Sequence, residues 1–327
     1  MEKRKVVVTL RAPTEARALF DYVLGDVASV IYLQDALPEQ RGEFLRSATA
    51  LFSGNFPQEV LPQEFPMLGN VKFIQLVSAG ADSMPFAALG PNTIIAGNVG
   101  AFAAPMAEHV MAMTLALAKR LVAQDMKMMK GEFDQTTPNR LLSGMTAGIV
   151  GFGGIGRATA RLMRPFGMSI YAINTSGRSD EPTDFIGTLR DLEKVLKASD
   201  VVVLSLPLTK ATRCLIGRRE LEMMKPNAIL VNVARGSIID EEALYDHLKS
   251  HPDFMAGIDT WWTEPRHQGE FRMDHPFLEL PNVLGSPHNS GSVPSVLVGA
   301  ARRAGENVRS FLTGEKVIGV MRREDYV

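Results

Sequence analysis

The groups best suited to chemistry in this 327-residue chain are one glycine-rich loop and three polar side chains downstream of it. Gly148-Ile149-Val150-Gly151-Phe152-Gly153-Gly154-Ile155-Gly156-Arg157 fits G-x-G-x-x-G at Gly151, Gly153 and Gly156. The spacing alone says little. Here it leaves an apolar run and opens a helical pattern, so the glycines allow a tight turn and close backbone approach to a pyrophosphate. Gly154 and Ile155 would belong to the cradle, and the helix dipole would hold the anion. About 20 residues on, a carboxylate would accept hydrogen bonds from a ribose carrying both hydroxyls. No carboxylate stands there. Residues 170–173 run into Asn174-Thr175-Ser176-Gly177-Arg178, where Asn174, Thr175 and Ser176 can donate to a 2'-phosphate and Arg178 can pair with it. The expected cofactor is NADP(H), with NAD(H) as the alternative.

Arg235 follows Val231-Asn232-Val233-Ala234, and its planar guanidinium could meet a carboxylate and a neighbouring keto oxygen with a fork that lysine lacks. Taken singly, Arg235, Glu264 and His288 are ordinary, since arginines brace loops, loop glutamates are solvated and histidines pack or cap. Their weight comes from company. Each stands at the end of one of several successive strands, or in the loop that follows, the edge at which doubly wound sheets bind ligands. His267 and His275, with Asp274, make no metal-ligand pattern, so no metal is expected. Cys214 is the only cysteine, which excludes an intrachain disulfide and a cysteine zinc cluster and points to a reducing compartment, the cytoplasm by default.

Those residues need a scaffold. Apolar, β-branched runs at 6–10, 72–77 and 93–96 alternate with helical stretches such as 14–24, which predicts a small α/β domain over the first hundred residues. A long helix is expected from Pro105 towards Lys130. It is apolar around most of its circumference, with Met111, Met113, Met126, Met128 and Met129 as adaptable packing residues, so it must be buried in a core or between subunits. The second reading, a homodimer, is favoured. From Thr146 onward, strands are predicted at 147–150, 169–173, 201–206, 229–233, 255–258 and 283–285 with helices between them, a doubly wound parallel sheet. Residues 293–312 read as a closing helix that returns to the N-terminal domain.

The 35 basic and 36 acidic residues nearly cancel, so nothing drives the chain toward nucleic acid or an anionic membrane. No stretch offers the roughly 20 apolar residues of a membrane span. The start, Met1-Glu2-Lys3-Arg4-Lys5, passes into Val6-Val7-Val8 without a signal-peptide core. The expected partner is a small molecule.

Together these stretches resemble the D-isomer-specific 2-hydroxyacid dehydrogenases over most of the chain. The resemblance rests on Ala107-Glu108-His109, the glycine loop, Leu206-Pro207-Leu208-Thr209 with Thr212, Asn232-Val233-Ala234-Arg235-Gly236, Gly257-Ile258-Asp259, Glu264-Pro265 and Ser286-Pro287-His288. Ser78-Ala79-Gly80-Ala81-Asp82 adds a less distinctive match. The resemblance implies a flavodoxin-like substrate domain, residues 1–103 and 288–327, with a Rossmann coenzyme domain, residues 104–287, inserted into it and catalysis in the cleft. It implies that Arg235 binds the substrate carboxylate and carbonyl, that His288 exchanges a proton with the substrate oxygen and that Glu264 pairs with His288. The loop of Ser78, Ala79 and Gly80 would receive the carboxylate on backbone N–H groups. Asp259 would orient the nicotinamide carboxamide, and Leu206, Pro207, Thr212, Val233, Ala234, Arg235, His288 and Gly291 would complete the coenzyme site.

The implied activity is that of an oxidoreductase, reversible reduction of a 2-keto acid such as glyoxylate or hydroxypyruvate to its D-2-hydroxy acid. Because the coenzyme carries the hydride, the protein must supply a proton and the geometry, and the Glu264 carboxylate would favour the charged imidazole that reduction consumes. Formate or phosphite oxidation on the same fold is a rival, as is a non-catalytic regulator that binds the dinucleotide and senses redox state. Two stretches depart from the family, Thr260-Trp261-Trp262 and residues 266–275. The tryptophans are expected to pack, with a reshaped substrate pocket or subunit interface as the sharper reading of the region.

Overall fold

A computed structural model gives the fold, in which residues 3–327 are described, the side chain of His267 excepted. The readings made on Met1, Glu2 and the His267 side chain lie outside the described residues. In chain order the elements are β1 (Arg4–Val8), α1 (Thr14–Leu24), β2 (Ala28–Tyr32), α2 (Pro38–Ser47), β3 (Ala50–Ser53), α3 (Phe56–Glu59), β4 (Phe73–Leu76), β5 (Ile94–Ala96), α4 (Ala103–Ala118), α5 (Leu121–Met129), β6 (Thr146–Val150) and α6 (Gly154–Met163). There follow β7 (Ser169–Ile173), β8 (Phe185–Gly187), α7 (Leu192–Ala198), β9 (Val201–Leu204), α8 (Arg218–Met223), β10 (Ile229–Asn232), α9 (Glu241–Ser250), β11 (Met255–Ile258), α10 (Pro265–Gln268), β12 (Val283–Gly285) and α11 (Pro294–Thr313). Two compact units result, Met1–Ala101 with Val293–Val327, and Phe102–Ser292.

The smaller unit is a parallel sheet in the order β2-β1-β3-β4-β5, the flavodoxin-like arrangement. Its central strands are covered on both faces, which is why Val6, Val7 and Val8 form an unbroken apolar run. Helix α11 joins this unit because Ala304, Val308 and Leu312 complete the core formed by Phe20, Val23 and Phe52, while Phe311 stacks on Phe73. The tail beyond α11 covers the β5 edge through an antiparallel bridge between Ala96 and Val320.

The larger unit carries seven parallel strands in the order β12-β11-β10-β9-β6-β7-β8. The order reverses at β6, which lies between β7 and β9, making a doubly wound sheet with a switch point there. Sequence predicted six of these strands; β8 is three residues long and leaves no pattern. The single long helix expected from Pro105 is two, because Arg120 takes a left-handed backbone (φ 50) between α4 and α5. Its methionines divide accordingly. Met111 and Met113 are buried in the core of their own unit with Val110 and Leu117, whereas Met126, Met128 and Met129 are exposed beside Leu121 and Val122. Residues 288–292 stay with the larger unit, held by the hydrogen bonds to Asp259 described below. Among the described residues no helix is long and apolar enough to cross a membrane.

Candidate active site

Strand β6 ends in the glycine loop. Gly151 has φ 104, a conformation L side chains rarely adopt, and a Cβ there would lie 2.5 Å from the Ser205 carbonyl carbon just beyond β9. A Cβ on Gly156 would lie 2.5 Å from the Gly151 carbonyl oxygen, so only glycine lets α6 close up on the loop. At Gly153 a Cβ would meet nothing within 4 Å. This open side of the loop lies at the N-terminus of α6, whose first N–H groups have no partner within the helix, and Gly154 and Ile155 form its opening turn. The arrangement fits a pyrophosphate, since a side chain at Gly153 would fill the space the anion needs.

The loop after β7 is organised from within. Asn174 Oδ1 accepts hydrogen bonds from Ser176 N (3.1 Å), Ser176 Oγ (3.2 Å) and Gly177 N (2.7 Å), and its Nδ2 donates to Arg178 O (2.8 Å). Asn174 therefore shapes the turn rather than projecting from it, and Thr175, Ser176 and Arg178 are the residues left on the exposed surface. After β9, Thr212 Oγ1 donates to Pro207 O (2.7 Å) and accepts from Thr209 N (2.8 Å), closing the loop that begins at the buried Leu206.

Strand β10 ends at Asn232, a buried amide that clamps the next turn. Its Oδ1 accepts from Ala234 N at 3.0 Å and its Nδ2 donates to Arg235 O at 2.9 Å. Val233 and Ala234 are buried, and Arg235 is held extended (φ −150, ψ 145), with its guanidinium donating to Ala234 O at 2.7 Å. A Cβ on Gly236 would lie 2.4 Å from the Trp261 carbonyl carbon, so the Arg235 turn rests directly on the main chain at 261–262.

That second segment presents Glu264. Trp261 N–H donates to Glu264 Oε1 at 2.7 Å, and Glu264 Oε2 lies 2.7 Å from His288 Nδ1. Glu264 is only 7% exposed. Burial pushes its carboxyl up, but the His288 hydrogen bond and charge, the Trp261 N–H and the positive charge of Arg235 outweigh burial and hold it below the usual glutamate range. With Nδ1 turned to Glu264, Nε2 is on the opposite side of the His288 ring. His288 has φ 51, and its N–H donates to Asp259 O at 2.8 Å. The Asp259 side chain, fully buried, accepts from Ser286 Oγ (2.5 Å), Asn289 N (3.2 Å) and Ser290 N (3.4 Å). In this way Asp259 anchors the main chain that carries His288. Gly291 follows, with room for a Cβ only 3.3 Å from the Phe102 ring.

The structure thus brings together the glycine loop, Arg235, Glu264, Asp259 and His288 on one sheet edge. Ser78, Ala79 and Gly80 belong to the smaller unit, on the loop after β4, where Ser78 Oγ donates to Gly80 O at 2.9 Å and Ser78 O accepts from Asn98 N at 2.8 Å. Both tryptophans pack. Trp261 is 6% exposed and its indole N–H donates to Ser286 O at 2.8 Å, while Trp262 stacks on Phe277 and donates to Ile239 O at 2.8 Å. In the 266–275 stretch, Phe271 lies edge-on against Trp261 and His275 stacks on Tyr245. Among the described residues no three His, Cys, Asp or Glu side chains converge as a metal site.

Residues 111–290 match the family model for the D-isomer specific 2-hydroxyacid dehydrogenase, NAD binding domain. The chain belongs to the D-isomer specific 2-hydroxyacid dehydrogenase family. It is 37% identical over 217 residues to a glyoxylate reductase of Thermococcus gammatolerans, a match spanning 64% of this chain but less than two thirds, 63%, of that protein. It is 30% identical over 286 residues to a glycerate dehydrogenase of Methylorubrum extorquens, covering 85% and 87% of the two chains. A solved structure of a D-isomer specific 2-hydroxyacid dehydrogenase family protein from Aeromonas salmonicida superposes with a TM-score of 0.78 at 25% identity, over 98% and 100% of the two chains. In this member of the 2-hydroxyacid dehydrogenase family, four supporting groups had no role in the sequence reading: the Asn232 amide, the Trp261 N–H, the Ser286 hydroxyl and His109. His109 Nε2 lies 3.0 Å from Ser286 Oγ and 3.6 Å from Asp259 Oδ1. Their only signal was membership of quoted motifs or neighbouring positions, because a clamp is defined by what it touches.

Proposed function

We propose that the chain is an NAD(P)-dependent oxidoreductase that interconverts a small 2-keto acid and its D-2-hydroxy acid, with glyoxylate and hydroxypyruvate as the first substrates to try. The observation that carries this reading is the 2.7 Å pair of Glu264 Oε2 and His288 Nδ1 on the sheet edge shared with Arg235 and the glycine loop. The names of the relatives, glyoxylate reductase and glycerate dehydrogenase, support the same substrate class. When bound, the nicotinamide coenzyme supplies or takes the hydride.

The protein residues do the rest. Glu264 orients the imidazole so that Nε2 is the nitrogen offered to a carbonyl oxygen, and its negative charge stabilises the positive ring that gives up the proton. In the oxidative direction the same nitrogen starts bare and takes the hydroxyl proton. The Arg235 fork matches a carboxylate together with an adjacent carbonyl oxygen, which would fix the substrate and polarise its C=O. NADP(H) is the favoured coenzyme, because the loop after β7, with the Ser176 hydroxyl turned into it, offers the Thr175 hydroxyl and the Arg178 cation where a ribose-binding carboxylate would repel a 2'-phosphate. A homodimer is proposed through the exposed apolar residues Leu121, Val122, Met126, Met128 and Met129 of α5, with Phe133 and Leu141 nearby in sequence.

The test is loss of reduced-nicotinamide absorbance with the purified protein, NADPH or NADH, and a panel of 2-keto acids, run beside Arg235→Ala and Arg178→Ala. The expected result is turnover that prefers NADPH, falls on the order of 100-fold in Arg235→Ala, and loses its NADPH preference in Arg178→Ala. Saturable coenzyme binding without turnover of any panel member would overturn the reductase reading in favour of a dinucleotide-binding regulator.

A further inference from the structure

We propose that His109 is a positioning residue for His288, acting through a directed hydrogen-bond chain from His109 Nε2–H to Ser286 Oγ–H to Asp259 Oδ1. The proposal rests on the acid/base role given to His288 above.

The direction follows from counting protons. The Ser286 hydroxyl has one hydrogen to give. It lies 2.5 Å from Asp259 Oδ1, an oxygen that also accepts from Asn289 N, while Oδ2 accepts from Ser290 N. The carboxylate is the acceptor throughout, so the hydroxyl proton points to it. Ser286 Oγ can then only accept from His109 Nε2, 3.0 Å away, and that nitrogen must carry a proton. The 3.6 Å from Nε2 to Oδ1 is too long for a hydrogen bond of its own.

At its far end the chain reaches the catalytic loop. Three successive N–H groups, of His288, Asn289 and Ser290, terminate on Asp259, the first on its main-chain oxygen and the others on its carboxylate. They hold His288 at φ 51, a conformation that is unfavourable for an L residue and persists only where the surroundings impose it. The Ser286 bond fixes which way the carboxylate faces; without it, the acceptors for Asn289 and Ser290 are free to swing. The Nδ1 to Glu264 distance depends on that backbone. His109 is well placed as the terminal anchor, because it lies mid-way along α4, whose Val110, Met111 and Met113 are buried in the core of the same unit.

Variants of matched shape that differ in a donor test the chain: Ser286→Thr against Ser286→Val, and His109→Gln, whose amide can replace the Nε2 donor, against His109→Leu. Two quantities are read, kcat with KM, and the proton NMR signal of the His288 Nδ1–H facing Glu264, assigned by its absence in His288→Gln. The expected result is a kcat loss of about tenfold or more in the Val and Leu variants with coenzyme KM little changed, and a shifted or lost His288 signal. The Thr and Gln variants recover most of both. A merely structural role would lower thermal stability without splitting either pair. Equal kcat and equal His288 signals within each pair would overturn the proposal, and should Ser286→Val fail to fold, the His109 pair decides alone. If the wild-type protein turns over no keto acid, the functional reading falls, while the His288 signal still decides for or against the chain.

Discussion

His288 is the residue at which chemistry and backbone strain meet. Its ring is set by Glu264 on one side and its main chain by Asp259, so the proposed proton transfer would use a fixed nitrogen instead of a mobile one. His288→Gln should retain coenzyme binding, read by fluorescence titration, and lose on the order of 100-fold or more in reduction. Turnover close to wild type would remove His288 from the mechanism. Arg235, Glu264 and His288 stood out in the sequence as candidates because ionisable groups in strand-end loops carry their chemistry in their residue type. Asn232 and the Trp261 N–H were not, since one is an amide turned inward and the other is main chain common to nearly every residue.

At the scale of elements, the site is a consequence of parallel strands ending at one edge. The ends of β6, β9, β10, β11 and β12 supply the glycine loop, the 205–212 loop, Arg235, Asp259 and Ser286 in turn, and the loops beyond them carry Glu264 and His288. Two of these segments touch main chain to main chain at Gly236 and Trp261, a contact that tolerates no side chain. Gly236→Ala should therefore destabilise the protein by about 2 kcal/mol or more in urea unfolding and raise KM for the keto acid, because Arg235 and Glu264 are carried on the two segments forced apart. Unchanged stability would mean that the turn relaxes around the methyl group. Strands β6, β7, β9, β10 and β11 were legible as apolar runs of four or five residues, and the three-residue edge strand β12 was legible too; β8 at the other edge was not, because it follows β7 with no helix between, outside the alternation that marked the rest.

At the scale of the whole molecule, stability and assembly each lead to a measurement. In α9, His247 is buried, stacked on His251 and edge-on to Phe254, and its Nε2 has no hydrogen-bond partner among the described residues. Burial, then the neighbouring His251, pushes its pKa from 6.5 down to about 4. The unfolded chain therefore binds that proton more readily than the folded one. Its contribution is complete above pH 6.5 and is lost as pH falls towards 4, by up to about 3 kcal/mol. His247→Phe should flatten this slope in urea midpoints compared at pH 7 and pH 4.5; an unaltered slope would assign the acid sensitivity elsewhere. For assembly, Met129→Asp with Phe133→Asp should convert a dimer into a monomer in sedimentation velocity while leaving the circular dichroism unchanged, and a wild-type monomer would refute the α5 interface.

The sequence by itself determined the two α/β domains and the glycine loop, and singled out Arg235, Glu264 and His288 as candidates, because strand periodicity, loop glycines and ionisable side chains are local properties that residue type encodes. Tertiary structure alone decided that α4 and α5 are separate helices with opposite fates for their methionines, and that Asn174 is spent on its own turn. It also decided that Asp259 gathers the N–H groups of the His288 loop with His109 at the far end of the chain. Each of these depends on which groups from distant stretches come within hydrogen-bond or packing distance, and the pairing of residues 109, 259 and 286 exists only once α4, β11 and β12 have been brought side by side.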